Sequence, residues 1–273
     1  MPLSAPVLFD THCHLDLPEL AADLPAYLNA AVTAGVRRII VPAVEAARWR
    51  GVLQLQQQTA VLTVDVALGI HPWWAESATE QQLAELACLL QTEPNVCAVG
   101  EIGLDFALAK SGEDEAATQQ RHQWQQQLFS RQLALAAQAR KPVVLHHRKS
   151  QPALLAELKR QQFSQGGILH AFSGSKAQAQ AFLDLGFKLG IGGTISYERA
   201  QKTRDTVKKL PLSALVLETD APAMPLSGFQ GQVNTPAQLA LVFQQLCALR
   251  PESPDVLAEA LWQNSLSALR LVV

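Results

Sequence analysis

The sequence predicts an α/β protein, a closed (β/α)8 TIM barrel that takes up residues 1–273 as a single domain. Three observations carry this. Short β-branched runs alternate with longer stretches of helical periodicity from one end of the chain to the other. Eight such units close into a barrel more readily than they form an open sheet. No Gly/Ser linker or shift of composition divides the chain in two.

The first run, residues 7–15, ends in Thr-His-Cys-His. A doubly wound sheet, the other fold with this alternation, carries a glycine-rich phosphate turn at that place. Helical periodicity follows over 20–34. The second and third runs, 37–44 and 64–71, are followed by helices over 46–59 and 79–91. The fourth run, 96–104, leads into 106–118, long for a βα connection and read as part of a substrate lid. A helix over 118–140 comes next. Runs at 142–148, 167–172 and 188–195 pair with helices over 151–162, 176–185 and 200–210. The eighth run, 215–220, precedes helical regions at 235–249 and 254–271. Glutamine-rich stretches at 54–58 and 119–127 have apolar residues interleaved and are read as solvated helix faces.

With 48% apolar and 17% charged residues the chain can bury a large core. A net charge of -2 gives no long-range field toward nucleic acid or an anionic membrane, so nucleic-acid contact would need a local basic patch. Cys13, Cys88, Cys97 and Cys247 are scattered, as reduced thiols are. The N-terminus lacks the basic and apolar regions of a secretory signal, and no apolar run reaches membrane-spanning length. The expected address is the cytoplasm, with no membrane partner.

In a strand, residues i and i+2 point to one face. His12 and His14 therefore project together from the first strand, with Cys13 on the opposite side. The C-terminal end of barrel strands is the mouth where active sites of the fold sit. Two imidazoles so placed can bind one divalent ion. Asp10, of the same parity one step deeper, is read as the acceptor that orients a ligand imidazole. Other strands end alike: Glu101 on the fourth, His146 on the fifth, His170 on the sixth and Asp220 on the eighth. Taken singly, a histidine is more often hydrogen-bonded in the core or at the surface than ligating. A carboxylate at a strand end, Asp220 before Ala-Pro in particular, can cap the next helix. The coincidence of metal-type donors at one end of five strands outweighs those readings.

Among the remaining histidines, His71 in Gly-Ile-His-Pro also lies at the mouth, placed to bind substrate or an extra metal. His122 is read as solvated, and His147 as facing the helical shell. Six donors exceed the roughly three protein ligands of one catalytic ion. They call for two divalent ions bridged by Glu101, with Asp220 as both ligand and general base. Imidazole donors suit Zn or Mn better than Mg.

With their flanks, these positions resemble the TatD family of metal-dependent deoxyribonucleases and hydrolases, its YjjV-like branch in particular. The matching stretches are Phe-Asp-Thr-His-Cys-His-Leu, Gly-Ile-His-Pro, Gly-Glu-Ile-Gly-Leu-Asp, Leu-His-His-Arg, Leu-His-Ala-Phe-Ser-Gly, Gly-Gly-Thr-Ile-Ser and Leu-Glu-Thr-Asp-Ala-Pro, in the family's order. The branch is marked by Gly-Gly-Thr-Ile-Ser-Tyr, Lys-Thr-Arg-Asp and Gly-Phe-Gln-Gly-Gln. The resemblance implies a barrel of the metal-dependent hydrolase type, with His12, His14, Glu101, His146, His170 and Asp220 as ligands. It also implies phosphodiester cleavage in DNA. Trp73, Phe106 and Ala223 depart from residues common in the family, and bear on substrate choice.

Several rim residues suit a nucleic acid. Arg148 shares parity with His146 and is placed for a phosphate oxygen. Trp73, Trp74 and Tyr197 offer faces on which bases stack. Arg199 opens a basic segment with Lys202, Arg204, Lys208 and Lys209, which reads equally as a solvated helix face. The expected activity is exonucleolytic cleavage of single-stranded DNA. Hydrolysis of a small-molecule ester, lactone, amide or phosphoester is the alternative. A binding protein without turnover would not need the positioned Asp220.

Overall fold

The computed structural model describes residues 6–58, 61–108 and 114–272. Eight parallel strands lie side by side in chain order: β1 Leu8–Asp10, β2 Val36–Pro42, β3 Thr63–Leu68, β4 Val96–Asp105, β5 Val143–Arg148, β6 Gly167–Leu169, β7 Phe187–Ile191 and β8 Leu215–Leu217. The ring closes between β8 and β1 through individual hydrogen bonds rather than a ladder. The Thr11 amide donates to the Leu217 carbonyl at 2.9 Å, and the Asp220 amide to the His12 carbonyl at 2.8 Å.

Helices return the chain after each strand, as parallel pairing requires. They are α1 Pro18–Ala21, α2 Leu24–Thr33, α3 Trp49–Gln58, α4 Glu80–Thr92, α5 Glu115–Gln138, α6 Gln151–Arg160, α7 Lys176–Leu183, α8 Gln201–Lys209, α9 Leu239–Leu249 and α10 Pro254–Leu269. Capping boxes start α4 (Thr79 with Gln82) and α7 (Ser175 with Gln178). No helix among the described residues is long and apolar enough to cross a membrane.

Two layers of core result. Phe9, Ile40, Ala67, Ala98, Val144, Ile168 and Val216 fill the barrel, with Leu266 and Leu269 of α10 against them. A larger shell between strands and helices holds Leu8, Cys13, Trp49, Phe129 and Phe182. Because the strands are covered on both faces they read as continuous apolar runs; β4 is buried throughout.

The strands are shorter than the apolar runs implied. β1 stops at Asp10, β6 at Leu169 and β8 at Leu217, so His12, His14, His170 and Asp220 stand on extensions past the ladders. A lone bridge between Cys13 and Ala221 continues the pairing there. The helix expected from 118 starts at Glu115, where the Asp114 carboxylate accepts the Ala117 amide at 2.8 Å. Of the expected lid, residues 109–113 lie outside the described residues. The solvated reading of the glutamines fails at Gln125, which is fully buried, as is Gln132 one heptad on. Each forks onto the backbone of a rim segment. Gln125 accepts from the Asp105 amide and donates to its carbonyl (2.8 and 3.1 Å), and Gln132 does the same for Ile70 (2.7 and 2.9 Å).

Candidate active site

The six predicted donors converge at the C-terminal mouth of the barrel around Glu101, which is 2% exposed. Its two oxygens face different partners. Oε2 lies 3.2 Å from His12 Nε2 and 3.6 Å from His14 Nε2. Oε1 lies 2.8 Å from His146 Nδ1, 3.5 Å from His170 Nε2 and 3.6 Å from His71 Nε2. Asp220 Oδ1 completes the first group, at 3.6 Å from His12 Nε2 and 3.5 Å from His14 Nε2, which are themselves 3.1 Å apart. Tetrahedral coordination with bonds of roughly 2.0–2.1 Å has edges of roughly 3.3–3.4 Å. The five separations given for the first group fall around that value, and His12, His14 and Glu101 lie close enough together to hold a divalent ion.

For His14 and His71, a hydrogen bond on the far side of the ring assigns the neutral tautomer. His14 Nδ1 lies 3.1 Å from the Pro42 carbonyl, which can only accept, so the neutral ring carries its proton on Nδ1 and turns the Nε2 lone pair to the centre, although Asp220 and Glu101 raise its pKa against burial in the metal-free protein. His170 Nδ1 is backed by Glu218 Oε1 at 3.2 Å, a distance without well-aligned hydrogen-bond geometry, and its Nε2 faces the centre likewise. His71 is the reverse. Its Nδ1 accepts the Trp73 amide at 3.2 Å, so the neutral ring carries its proton on Nε2. Burial pushes the pKa of His71 down to about 3, which keeps the ring neutral. It is a hydrogen-bond donor pointed at the centre, although its position alone would also suit a metal.

The charges are mutually dependent. Burial disfavours the anion of Glu101, but His12, His71 and His170 together outweigh it and hold the carboxyl well below its usual range. Asp220 is likewise lowered against its burial by His170 and His14. Burial opposes protonation of His170, yet Asp220, Glu218 and Glu101 raise it to about 10 in the metal-free protein. Asp220 also has φ of 57°, a left-handed conformation that costs a non-glycine residue about 1 kcal/mol or more and collects at functional sites. Its side chain faces the imidazoles and caps no helix.

Asp10 does not orient an imidazole. Its Oδ1 accepts the amides of His12 (3.2 Å) and Thr219 (2.9 Å), and its Oδ2 the Thr219 hydroxyl (2.6 Å), so it ties the β1 and β8 extensions together. His122 is not simply solvated: it stacks on Phe106 with ring centroids 4.2 Å apart. His147 is buried beside Gln151 of α6, whose amide lies 3.2 Å from its Nδ1. On the rim, Trp73 is 52% exposed and Arg148 is exposed. Tyr197 is partly committed, its hydroxyl donating to the Pro225 carbonyl at 2.7 Å while Arg199 lies over its ring at 4.8 Å. Arg204 is bound to the Ile195 carbonyl, and Lys208 and Lys209 end α8 on the side away from the mouth. The basic run therefore offers the mouth chiefly Arg199 and Lys202. Two acidic neighbours of the centre, Asp105 and Glu218, were not singled out from the sequence. The signal was present, since each lies within a motif already noted and shares strand parity with Asp220 or Glu101.

The profile of the TatD related DNase family matches residues 9–270. Over 257 residues the chain is 48% identical to an uncharacterized metal-dependent hydrolase of Escherichia coli, YjjV, spanning 94% of this chain and 95% of that one. The crystal structure of Escherichia coli YjjV, a TatD homolog, superposes with a TM-score of 0.90 at 45% identity, covering 97% of this chain and 98% of the other. The chain is also 32% identical over 270 residues to a 3'-5' ssDNA/RNA exonuclease TatD of Erwinia amylovora, covering 97% of this chain and 99% of that protein. A match of this extent, on a barrel that gathers histidine and carboxylate donors at its mouth, identifies the chain as a member of the TatD related DNase family of metal-dependent hydrolases.

Proposed function

We propose that the chain is a metal-dependent phosphodiesterase that degrades DNA, as an exonuclease on single strands, within one barrel domain spanning residues 1–273. The observation that carries this is the division of Glu101, one oxygen toward His12 and His14 and the other toward His146 and His170. His12, His14, Glu101, His146, His170 and Asp220 would hold the divalent ions, two in number and Zn, Mn or Mg in kind. Such a pair supplies an activated water and stabilises the oxygens of an in-line displacement.

The chain's own groups do the rest. Asp220, whose carboxyl already lies below its usual range in the metal-free protein, is the group placed to accept the proton of the attacking water. His71 donates from Nε2 to a phosphate oxygen without adding charge. Arg148 and Arg199 neutralise backbone phosphates, while Trp73 and Tyr197 contact the sugar–base side. The exonuclease name of the Erwinia amylovora relative supports the substrate. The second reading, a small-molecule ester, lactone, amide or phosphoester hydrolase, draws on the net charge of -2 and the short basic rim. Four free cysteines suit the reducing cytoplasm.

Protein loaded with Mn, Zn or Mg should shorten single-stranded oligonucleotides progressively from an end. Turnover of small esters with none on DNA would favour the second reading. A separate measurement bears on His170. Its proton, held to about 10 in the metal-free protein, must leave before the ring can ligate. Metal loading at pH 8 should therefore release protons, seen as calorimetric enthalpies that differ between buffers of unlike ionisation heat. Equal enthalpies would show that the His170 ring is already neutral before metal binds.

A further inference from the structure

Trp73 is the large aromatic most open to solvent at the mouth, and its indole is held rather than loose. Nε1 donates to Asp105 Oδ2 at 2.8 Å, and the ring meets His71 edge-on with centroids 4.7 Å apart. His146 is 6.5 Å away on the same side. The carboxylate that holds Trp73 also holds Arg148, whose Nη1 lies 3.4 Å from the same Oδ2 while the side chain as a whole is 55% exposed. His146 Nε2 stands 3.5 Å from that oxygen, too far and too poorly aligned for a good hydrogen bond. Asp105 is itself immobilised. It is fully buried, Oδ1 accepts the Ala107 amide at 3.0 Å, and Gln125 clamps its backbone. The Gln132 clamp on Ile70 fixes the segment that carries His71 and Trp73, from the same helix α5. Two buried glutamines thus set the span that the Trp73–Asp105 hydrogen bond crosses.

We propose that Trp73, Asp105 and Arg148 form a nucleotide subsite beside the metal centre. An unpaired base stacks on the Trp73 indole, Arg148 takes the attached phosphate, and Asp105 is the positioning residue for both. This rests on the nucleic-acid reading given above. A flat apolar face and a cation fixed side by side match the two ends of one nucleotide. A base inside a duplex has both faces covered, so Trp73 takes a base at a strand end or one that has left its stack. The negative charge of Asp105 does not repel the phosphate, because the carboxylate is buried and engaged by the indole N–H, the Ala107 amide and Arg148.

The test uses the metal-loaded protein with single-stranded oligonucleotides whose terminal residue either carries a base or is abasic. Trp73→Ala should raise KM for the normal oligonucleotide about ten-fold or more with kcat retained. Trp73→Phe, which keeps an aromatic face but loses the hydrogen bond to Asp105, should lie between Trp73→Ala and the wild type. Loss of the base and loss of Trp73 should be non-additive, since each removes the same contact. Asp105→Asn should raise KM and shift the tryptophan emission at unchanged metal content. An unchanged KM in Trp73→Ala, or additive losses, would overturn the subsite. A fall in kcat and metal content at constant KM in Asp105→Asn would overturn the positioning role. If the wild type cleaves no DNA, the phosphodiesterase reading fails on its own. The subsite is then judged by quenching of tryptophan fluorescence on oligonucleotide binding, and an absence of Trp73-dependent quenching overturns it too.

Discussion

Glu101→Gln is expected to lose bound metal and, with it, hydrolysis. Glutamine has nearly the same shape but only one acceptor oxygen, and its NH2 group cannot ligate. It can face His12 and His14, or His146 and His170, but not both groups as the carboxylate does at 2.8–3.6 Å. Loss of groups that merely orient a ligand costs roughly 10–100-fold in metal affinity, so loss of the shared ligand should cost more than about 100-fold. The metal-free protein should weaken as well. The carboxyl of Glu101 is held well below its ordinary range, so its stabilising contribution is present above that ordinary range and lost as pH falls through the depressed value. Removing one member of a buried ionic cluster costs about 3–5 kcal/mol. Metal analysis and thermal melting with and without metal read both effects. Full metal content with wild-type turnover in this variant would remove the basis for a bridged pair of ions.

Asp220→Asn should separate chemistry from binding. Asparagine tolerates the left-handed backbone at φ 57° as aspartate does, and it keeps an oxygen toward His12 and His14. What it cannot do is accept a proton. Turnover should fall about 10²–10⁴-fold, with oligonucleotide affinity close to the wild type and most of the metal retained. Single-turnover cleavage beside metal analysis distinguishes the outcomes. Cleavage within a few-fold of wild type would move the proton acceptor elsewhere.

Much of this arrangement was legible before any coordinates. The alternation of runs gives the barrel because parallel strands buried on both faces are apolar throughout, and β4 shows that pattern along its whole length. Cys13 lies in the shell between strands and helices, as its parity against His12 and His14 required. Parity failed where strands are irregular. Ala98 belongs to the barrel interior, so strict alternation would turn Glu101 outward, but the register between β4 and β5 shifts between Val99 and Ile102 and brings it to the axis. Phe9 and His12 also break strict alternation on β1, although the register shift there lies earlier, between Leu8 and Phe9. Asp10 was misread because its parity was right while its partners, Thr219 and the His12 amide, come from chain closure. Gln125 was misread because helix position 125 looks polar until Asp105 is found beneath it.

The sequence by itself determined the fold class and the family and named six candidate donors, since these follow from residue type, motif and strand order. Only the tertiary structure decided how the donors divide, that Glu101 presents one oxygen to each group, and that His71 faces the centre with a proton while His14 faces it with a lone pair. The reason is physical. Which nitrogen of an imidazole carries its proton depends on what lies behind the ring. For His14 that is the carbonyl of Pro42, and for His71 the amide of Trp73, and the folded backbone alone fixes where those groups point.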